Sequence, residues 1–179
     1  MPTTTRRFGS RVCAASFGLL APLTVVAVSS HAAHASVSAE AVKTPTGLVL
    51  TVTPTTALDP AGATVTVTGR GYDRTVGIYV ALCVTPQVRQ QPSPCGGGVN
   101  MTGANAASAW ISSNPPPYGQ KLATPFAKGG RFKVGISVSS TIGTVDCRTV
   151  SCSIVTRADH LHSGDQRFDV FVPVTFGQG

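Results

Sequence analysis

Two close pairs of cysteines, set in a chain patterned for strands almost throughout, constrain this sequence more than any other feature. Cys83 is followed by Cys95, and Cys147 by Cys152. The fifth cysteine, Cys13, lies in an N-terminal stretch that reads as an export signal. Thiols in an exported chain are oxidised to disulfides. No cysteine is then left as a free nucleophile, so the cysteine chemistry is structural and function has to come from a surface or a cleft.

The export reading rests on the first 35 residues. Arg6, Arg7 and Arg11 precede an apolar run from Val12 to Val28, and His31-Ala32-Ala33-His34-Ala35 supplies small residues at an Ala-x-Ala cleavage site. This is the order of a secretory signal peptide, and cleavage is expected after Ala35. Pro22 interrupts a run already short of the ~20 apolar residues a membrane-spanning helix needs. The route, general or twin-arginine, stays open. Removing 35 of 179 residues leaves one domain's length. That remainder, 36–179, keeps eleven basic and seven acidic residues, a net charge of +4. The basic residues are scattered in sequence, without the interleaved aromatics of a nucleic-acid footprint. The expected product is a mildly basic, monomeric protein, secreted or held in the cell envelope, with no membrane contact after cleavage.

Residues 36–46 are small and polar and read as a flexible leader, with the folded domain spanning 47–179. Thr64–Thr68 and Phe132–Val138 alternate strictly, and Phe168, Val170, Val172, Val174 and Phe176 form a third apolar comb. Such alternation buries one face of a strand and leaves the other for solvent or a partner. Leu48–Thr53, Val76–Val84 and Cys152–Arg157 are further strands rich in β-branched residues, and Ala107–Ser112 is a shorter one around Trp110. Asp59-Pro60-Ala61-Gly62 reads as a turn. Seven short antiparallel strands divided by Gly, Pro and Asp turns predict an all-β, immunoglobulin-like sandwich. The Pro- and Gly-rich interval 86–130 breaks the rhythm and reads as two loops around a short strand.

Four cysteines allow three pairings, and the two local ones are expected. Cys147 and Cys152 can close a tight turn before a strand, and Cys95 lies on the loop returning from the strand that Cys83 ends. The inter-sheet bond of antibody domains sits beside a buried Trp, but the single Trp here lies outside the Cys83 strand. Each local bond is worth roughly 2–3 kcal/mol in the chain-entropy model.

No catalytic constellation is evident. Asp159-His160-Leu161-His162-Ser163 has the residue types of one, but closeness in sequence does not make a triad, and the stretch reads as a solvated loop. His160 and His162 alone are too few for a metal site, so neither a metal nor a cofactor is expected. Tyr72, Tyr79, Met101, Tyr118, His160 and His162 are residue types able to ligate haem, and the sequence selects none of them.

The chain resembles the neocarzinostatin family of apoproteins. The resemblance is carried by Val52-Thr53-Pro54, Leu58, Gly62, Val65–Gly71, Tyr79-Val80 before Cys83, Cys95, and Val172–Phe176. Its most specific stretch is Gly143-Thr144-Val145-Asp146-Cys147-Arg148-Thr149 with Cys152. The resemblance implies a secreted actinobacterial protein, not an enzyme, whose seven-stranded sandwich carries a small, largely apolar ligand. Family members hold a reactive enediyne chromophore in a cleft beside the sheet, so an antibiotic chromophore is the implied ligand. DNA would be met only through the released ligand. The Cys83–Cys95 bridge would line the cleft, with Tyr79, Ala81 and Phe171 facing it and Ile78, Val80 and Leu82 in the core. Trp110, Tyr118 and Phe126 are the aromatics available to pack a ligand. A cell-envelope interaction module or haem-acquisition surface protein is the alternative.

Overall fold

The computed structural model describes residues 38–88, 90–98 and 106–178. The expected signal peptide, 1–35, lies outside the described residues, as does Met101.

Two antiparallel four-stranded sheets pack face to face. The first runs β1 (Glu40–Lys43), β2 (Val49–Thr53), β3 (Ala63–Arg70) and β6 (Phe132–Val138). The second runs β10 (Val170–Val174), β9 (Cys152–Ala158), β4 (Ile78–Val84) and β5 (Ser108–Ile111). A two-stranded hairpin joins β7 (Thr141–Ile142) to β8 (Val145–Asp146). Among the described residues there is no α-helix, only the 3₁₀ turns Pro117–Gly119 and Gln166–Phe168. No helix among them is long and apolar enough to cross a membrane.

The period-two pattern explains the core. Val65 and Val67 of β3, Ile136 and Val138 of β6, and Val170, Val172 and Val174 of β10 all point inward, as do Ile78, Val80 and Leu82 of β4. Their neighbours Thr64, Thr66, Lys133 and Ser137 are exposed. Burying a branched side chain of this kind contributes about 1.5–3 kcal/mol, so the pattern fixes the register: a slip of one residue would expose the whole set. The Asp59 turn forms as expected. The Gly62 N–H donates to the Asp59 carbonyl at 3.2 Å and the Ala61 N–H to Asp59 Oδ1 at 2.9 Å.

Tyr72 is buried where the sheets meet. Its hydroxyl lies 2.9 Å from Thr156 Oγ1, whose own O–H donates to the Phe168 carbonyl at 2.9 Å. Thr156 has only one proton to give, so Tyr72 is the donor in this chain. Burial pushes its phenol above the ordinary value. Gly130 turns the chain beneath Tyr72 at φ 60°, and a Cβ there would lie 1.8 Å from the Tyr72 carbonyl oxygen. The close approach and the left-handed backbone both require glycine.

One expectation is corrected. The segment 36–46, read as a leader, carries β1, paired with β2 from Glu40↔Val52 to Lys43↔Val49. Only Val42 of its four residues is half-buried. An edge strand held by backbone hydrogen bonds needs little apolar alternation, so the sequence carried almost no signal for it.

Candidate functional site

The β10-β9-β4-β5 sheet is apolar on both faces. Inward are Ile78, Val80, Leu82 and Ile154. Outward, Ala81, Cys83 and Val155 form a second apolar cluster, joined by Cys95 and Phe171. An outer face that stays apolar is the signature of a face meant to be covered. The central strands β4 and β9 supply it: Ala81 pairs directly with Val155 in the register, and Cys83 with Ser153.

The wall beside this face is built by the Cys83–Cys95 bond. β5 pairs with β4 only from Ile78 to Ala81. Beyond that point residues 94–96 take over the free edge of β4. The Val84 N–H donates to the Pro94 carbonyl at 3.0 Å, and the Gly96 N–H to the Leu82 carbonyl at 2.7 Å. The disulfide joins Cα atoms 4.0 Å apart across this pairing. The second bond, Cys147–Cys152, closes the turn before β9 as expected, with Cα atoms 5.5 Å apart.

Between wall and sheet lies a cleft of about 340 Å³. Ala81, Cys83, Cys95 and Val155 form its apolar floor; Pro92, Ser93 and Gly96 form one side, and Tyr79, Arg157 and His160 one end. Its volume sits at the lower end of the ~300–1,000 Å³ range of small-molecule pockets.

The polar end is a hydrogen-bonded aromatic group. His160 Nδ1 lies 2.5 Å from the Tyr79 hydroxyl, and its Nε2 lies 2.6 Å from that of Tyr118. A neutral imidazole has one donor and one acceptor nitrogen, so one ring nitrogen donates to a phenol oxygen and the other accepts from a phenol O–H. Trp110 lies beneath, stacked on Tyr118 with centroids 6.3 Å apart and edge-on to His160 at 5.3 Å. The indole N–H donates to Asp159 Oδ2 at 3.0 Å. Burial, with the Asp159 charge adding to it, raises the pKa of Tyr79. Arg157 faces Tyr79 in the register and donates to the Pro92 carbonyl at 3.3 Å and to Gln91 Oε1 at 3.0 Å, tying β9 to the wall.

The sequence-derived candidates divide as follows. Tyr79, Cys83 and Cys95 line the cleft. Trp110 is buried behind its end, and Tyr118 closes that end over Trp110 while remaining half exposed. Phe126 does not approach the cleft: it is buried against Tyr72 and Phe132 in the main core. Phe171 shares the outer apolar cluster, but its open side belongs to a neighbouring groove with Pro86, Val88 and Asp169. Phe171 thus points outward as expected from the comb and packs beside the cleft floor, while the cleft itself is lined by the β4 and β9 residues. It sits on β10, the edge strand, one strand beyond the β9 residues that line the cleft.

In the sequence the stretch 159–163 reads as a solvated loop. Residues 160–163 are exposed, but Asp159 is buried and holds Trp110, and His160 holds two tyrosines. No sequence motif marked His160 and Arg157 as cleft residues. The only available signal was the Tyr79–Arg157 strand pairing, which needs the register. Of the haem-ligand candidates, Tyr72 is buried on Thr156, and Tyr79, Tyr118 and His160 are bonded to one another. Among the described residues no group of three or more His, Cys, Asp or Glu side chains could hold a metal ion.

A family model described as "Neocarzinostatin family" matches residues 50–176. Among solved structures, one described as "MACROMOMYCIN" is similar at 23% identity, covering 73% of this chain and 99% of that chain, with a TM-score of 0.46. No curated protein matches the chain.

Proposed function

The chain belongs to the neocarzinostatin family, and from that premise we propose that it is a secreted, non-catalytic carrier of a small, largely apolar ligand held in the cleft. The observation that carries this reading is the outer apolar cluster of Ala81, Cys83 and Val155, left open beneath the Cys83–Cys95 wall. A sheet face of this composition contributes to stability only when something covers it. A ligand seated there rests on rigid β4 and β9 backbone, so little ordering cost is incurred on binding.

The ring group at the end of the cleft suits a planar, unsaturated ligand. Tyr79 and His160 line its polar end, and aromatic pairs with a ligand ring add about 0.5–1.5 kcal/mol beyond area burial. An antibiotic chromophore of the enediyne type is the ligand class the family membership favours. The protein's part is to hold the ligand and shield it from water, and no step of bond-making falls to its side chains. It acts as a monomer outside the cell.

Titration with the neutral fluorescent probe N-phenyl-1-naphthylamine tests the reading. Saturable one-to-one binding is expected, weakened about tenfold by Ala81→Phe, which fills the floor, and by Tyr79→Ala. Absence of saturable binding would defeat it. Native mass spectrometry of protein purified from its own host then identifies the physiological occupant.

A further inference from the structure

The opposite sheet turns a different face to solvent. Cross-strand partners share a face, and the registers Lys43↔Val49↔Arg70 and Ala41↔Thr51↔Thr68↔Lys133 place those seven side chains on the outer face of β1-β2-β3-β6. Strand alternation adds Thr53, Thr64, Thr66 and Ser137 to it. Arg131, at the entry to β6, faces Arg70 across a depression of about 250 Å³ lined by Val49, Thr51 and Thr68. Lys43, Arg70, Arg131 and Lys133 are all exposed. The face so defined carries four cations and a row of hydroxyls, with no Asp or Glu; the one aromatic lining the depression, Phe132, is buried. The structure gathers onto one sheet four basic residues that the sequence scatters over 90 positions.

We infer that this face docks a flexible phosphate polymer. Arginine forks bind phosphate oxygens in pairs, and threonine hydroxyls donate to the same oxygens. Arg70 and Arg131 with Thr51 and Thr68 form such a seat in the depression. Lys43 on β1 and Lys133 on β6 stand on either side, three strand spacings of ~4.8 Å apart, so the row of cations runs about 14 Å across the strands. A chain with its charge along its backbone can follow that row. Two other anionic partners fit less well. Single-stranded nucleic acid is held by stacking on exposed aromatic side chains, and Phe132, the aromatic at the depression, is buried in the core. Duplex grooves are read by a projecting helix or ribbon, and this face is a sheet laid flat. The site lies on the other sheet from the cleft and is independent of what the cleft holds.

The test is binding of labelled long-chain inorganic polyphosphate to the purified protein at several salt concentrations. Four neutralised phosphates predict an affinity loss of about 50-fold between 50 and 200 mM salt, from a log–log slope of roughly 0.7 per contact. Changing Lys43, Arg70, Arg131 and Lys133 together to Gln is expected to abolish binding and flatten that slope. Should that variant fold poorly, the pair R70Q and R131Q is expected to halve the slope. Changing Arg74, Lys121, Arg148 and Arg167 to Gln alters net charge equally and is expected to leave affinity within about twofold. Three results would overturn the inference: no saturable binding, an equal loss in the second set of variants, or tighter binding of duplex DNA or heparin at the same salt.

Discussion

The Trp110 indole N–H donates to Asp159 Oδ2 at 3.0 Å, and this bond spans the second sheet from β5 to the end of β9. It crosses directly over Gly77, where a Cβ would lie 2.0 Å from the same oxygen and 3.1 Å from the indole nitrogen. The other carboxylate oxygen accepts from the Leu161 N–H at 3.1 Å. Asp159 therefore fixes both the aromatic floor under Tyr118 and the loop that carries His160.

Gly77→Ala is expected to break this bond, because the methyl group occupies the carboxylate's position. Leaving a buried donor unpaired costs about 1–3 kcal/mol. The loss should appear as a lower urea midpoint, with a red shift in Trp110 fluorescence. Asp159→Ala should give both effects, whereas an unshifted spectrum would show that Trp110 is held by packing alone.

Removing the Cys83–Cys95 bond should cost about 2–3 kcal/mol in the chain-entropy model. Its specific consequence is at the wall: hydrogen exchange at Val84 and Gly96, whose N–H groups pair with or across the 94–96 segment, should accelerate in Cys83→Ala/Cys95→Ala. Removing Cys147–Cys152 should destabilise the domain without affecting those two amides, since that bond closes a separate turn.

Tyr72→Phe separates the two bonds of the buried chain. Thr156 keeps its own bond to the Phe168 carbonyl and loses only the proton donated by Tyr72. A loss of about 1 kcal/mol is expected. Thr156→Val should cost more, because it leaves both the Tyr72 hydroxyl and the Phe168 carbonyl without their partner. Reversal of that order in chemical denaturation would contradict the donor assignment.

Asp169, half-buried beside Phe171, has its carboxyl pushed up by burial to about 6 from an ordinary 3.8. Well below pH 3.8 it is neutral folded and unfolded, and its burial carries no penalty. Between 3.8 and about 6 the unfolded state ionises while the folded one stays protonated, so stability falls across that window and is level above it. An unscreened shift of this size corresponds to roughly 3 kcal/mol, and partial exposure cuts it to about 1 kcal/mol. Asp169→Asn is therefore expected to raise the melting temperature at pH 7 and leave it unchanged at pH 3. An equal gain at both values would show that the effect is not ionic.

The apolar combs made the sandwich legible in the sequence, because burial of one strand face leaves a period that no loop produces by chance. The combs set which strand faces are buried, but it is the family resemblance that puts Tyr79, Ala81 and Cys83 on the cleft side of β4, a strand apolar on both faces. Phe171 obeys the alternation of its comb, yet opens onto a different groove, since facing outward does not say which strand lies next. The sequence does not place His160 and Arg157 at the cleft for a related reason: their partners Tyr118, Gln91 and Pro92 are distant in sequence and meet them only through loop paths. The cationic face was hidden likewise, its four members lying on three strands and a turn.

The most direct test of the carrier reading is amide chemical-shift mapping during titration with N-phenyl-1-naphthylamine. The account predicts saturable shifts at Ala81, Cys83, Cys95, Gly96 and Val155, with the β1-β2-β3-β6 sheet unmoved. Shifts confined to any other surface, or none at saturating probe, would contradict it.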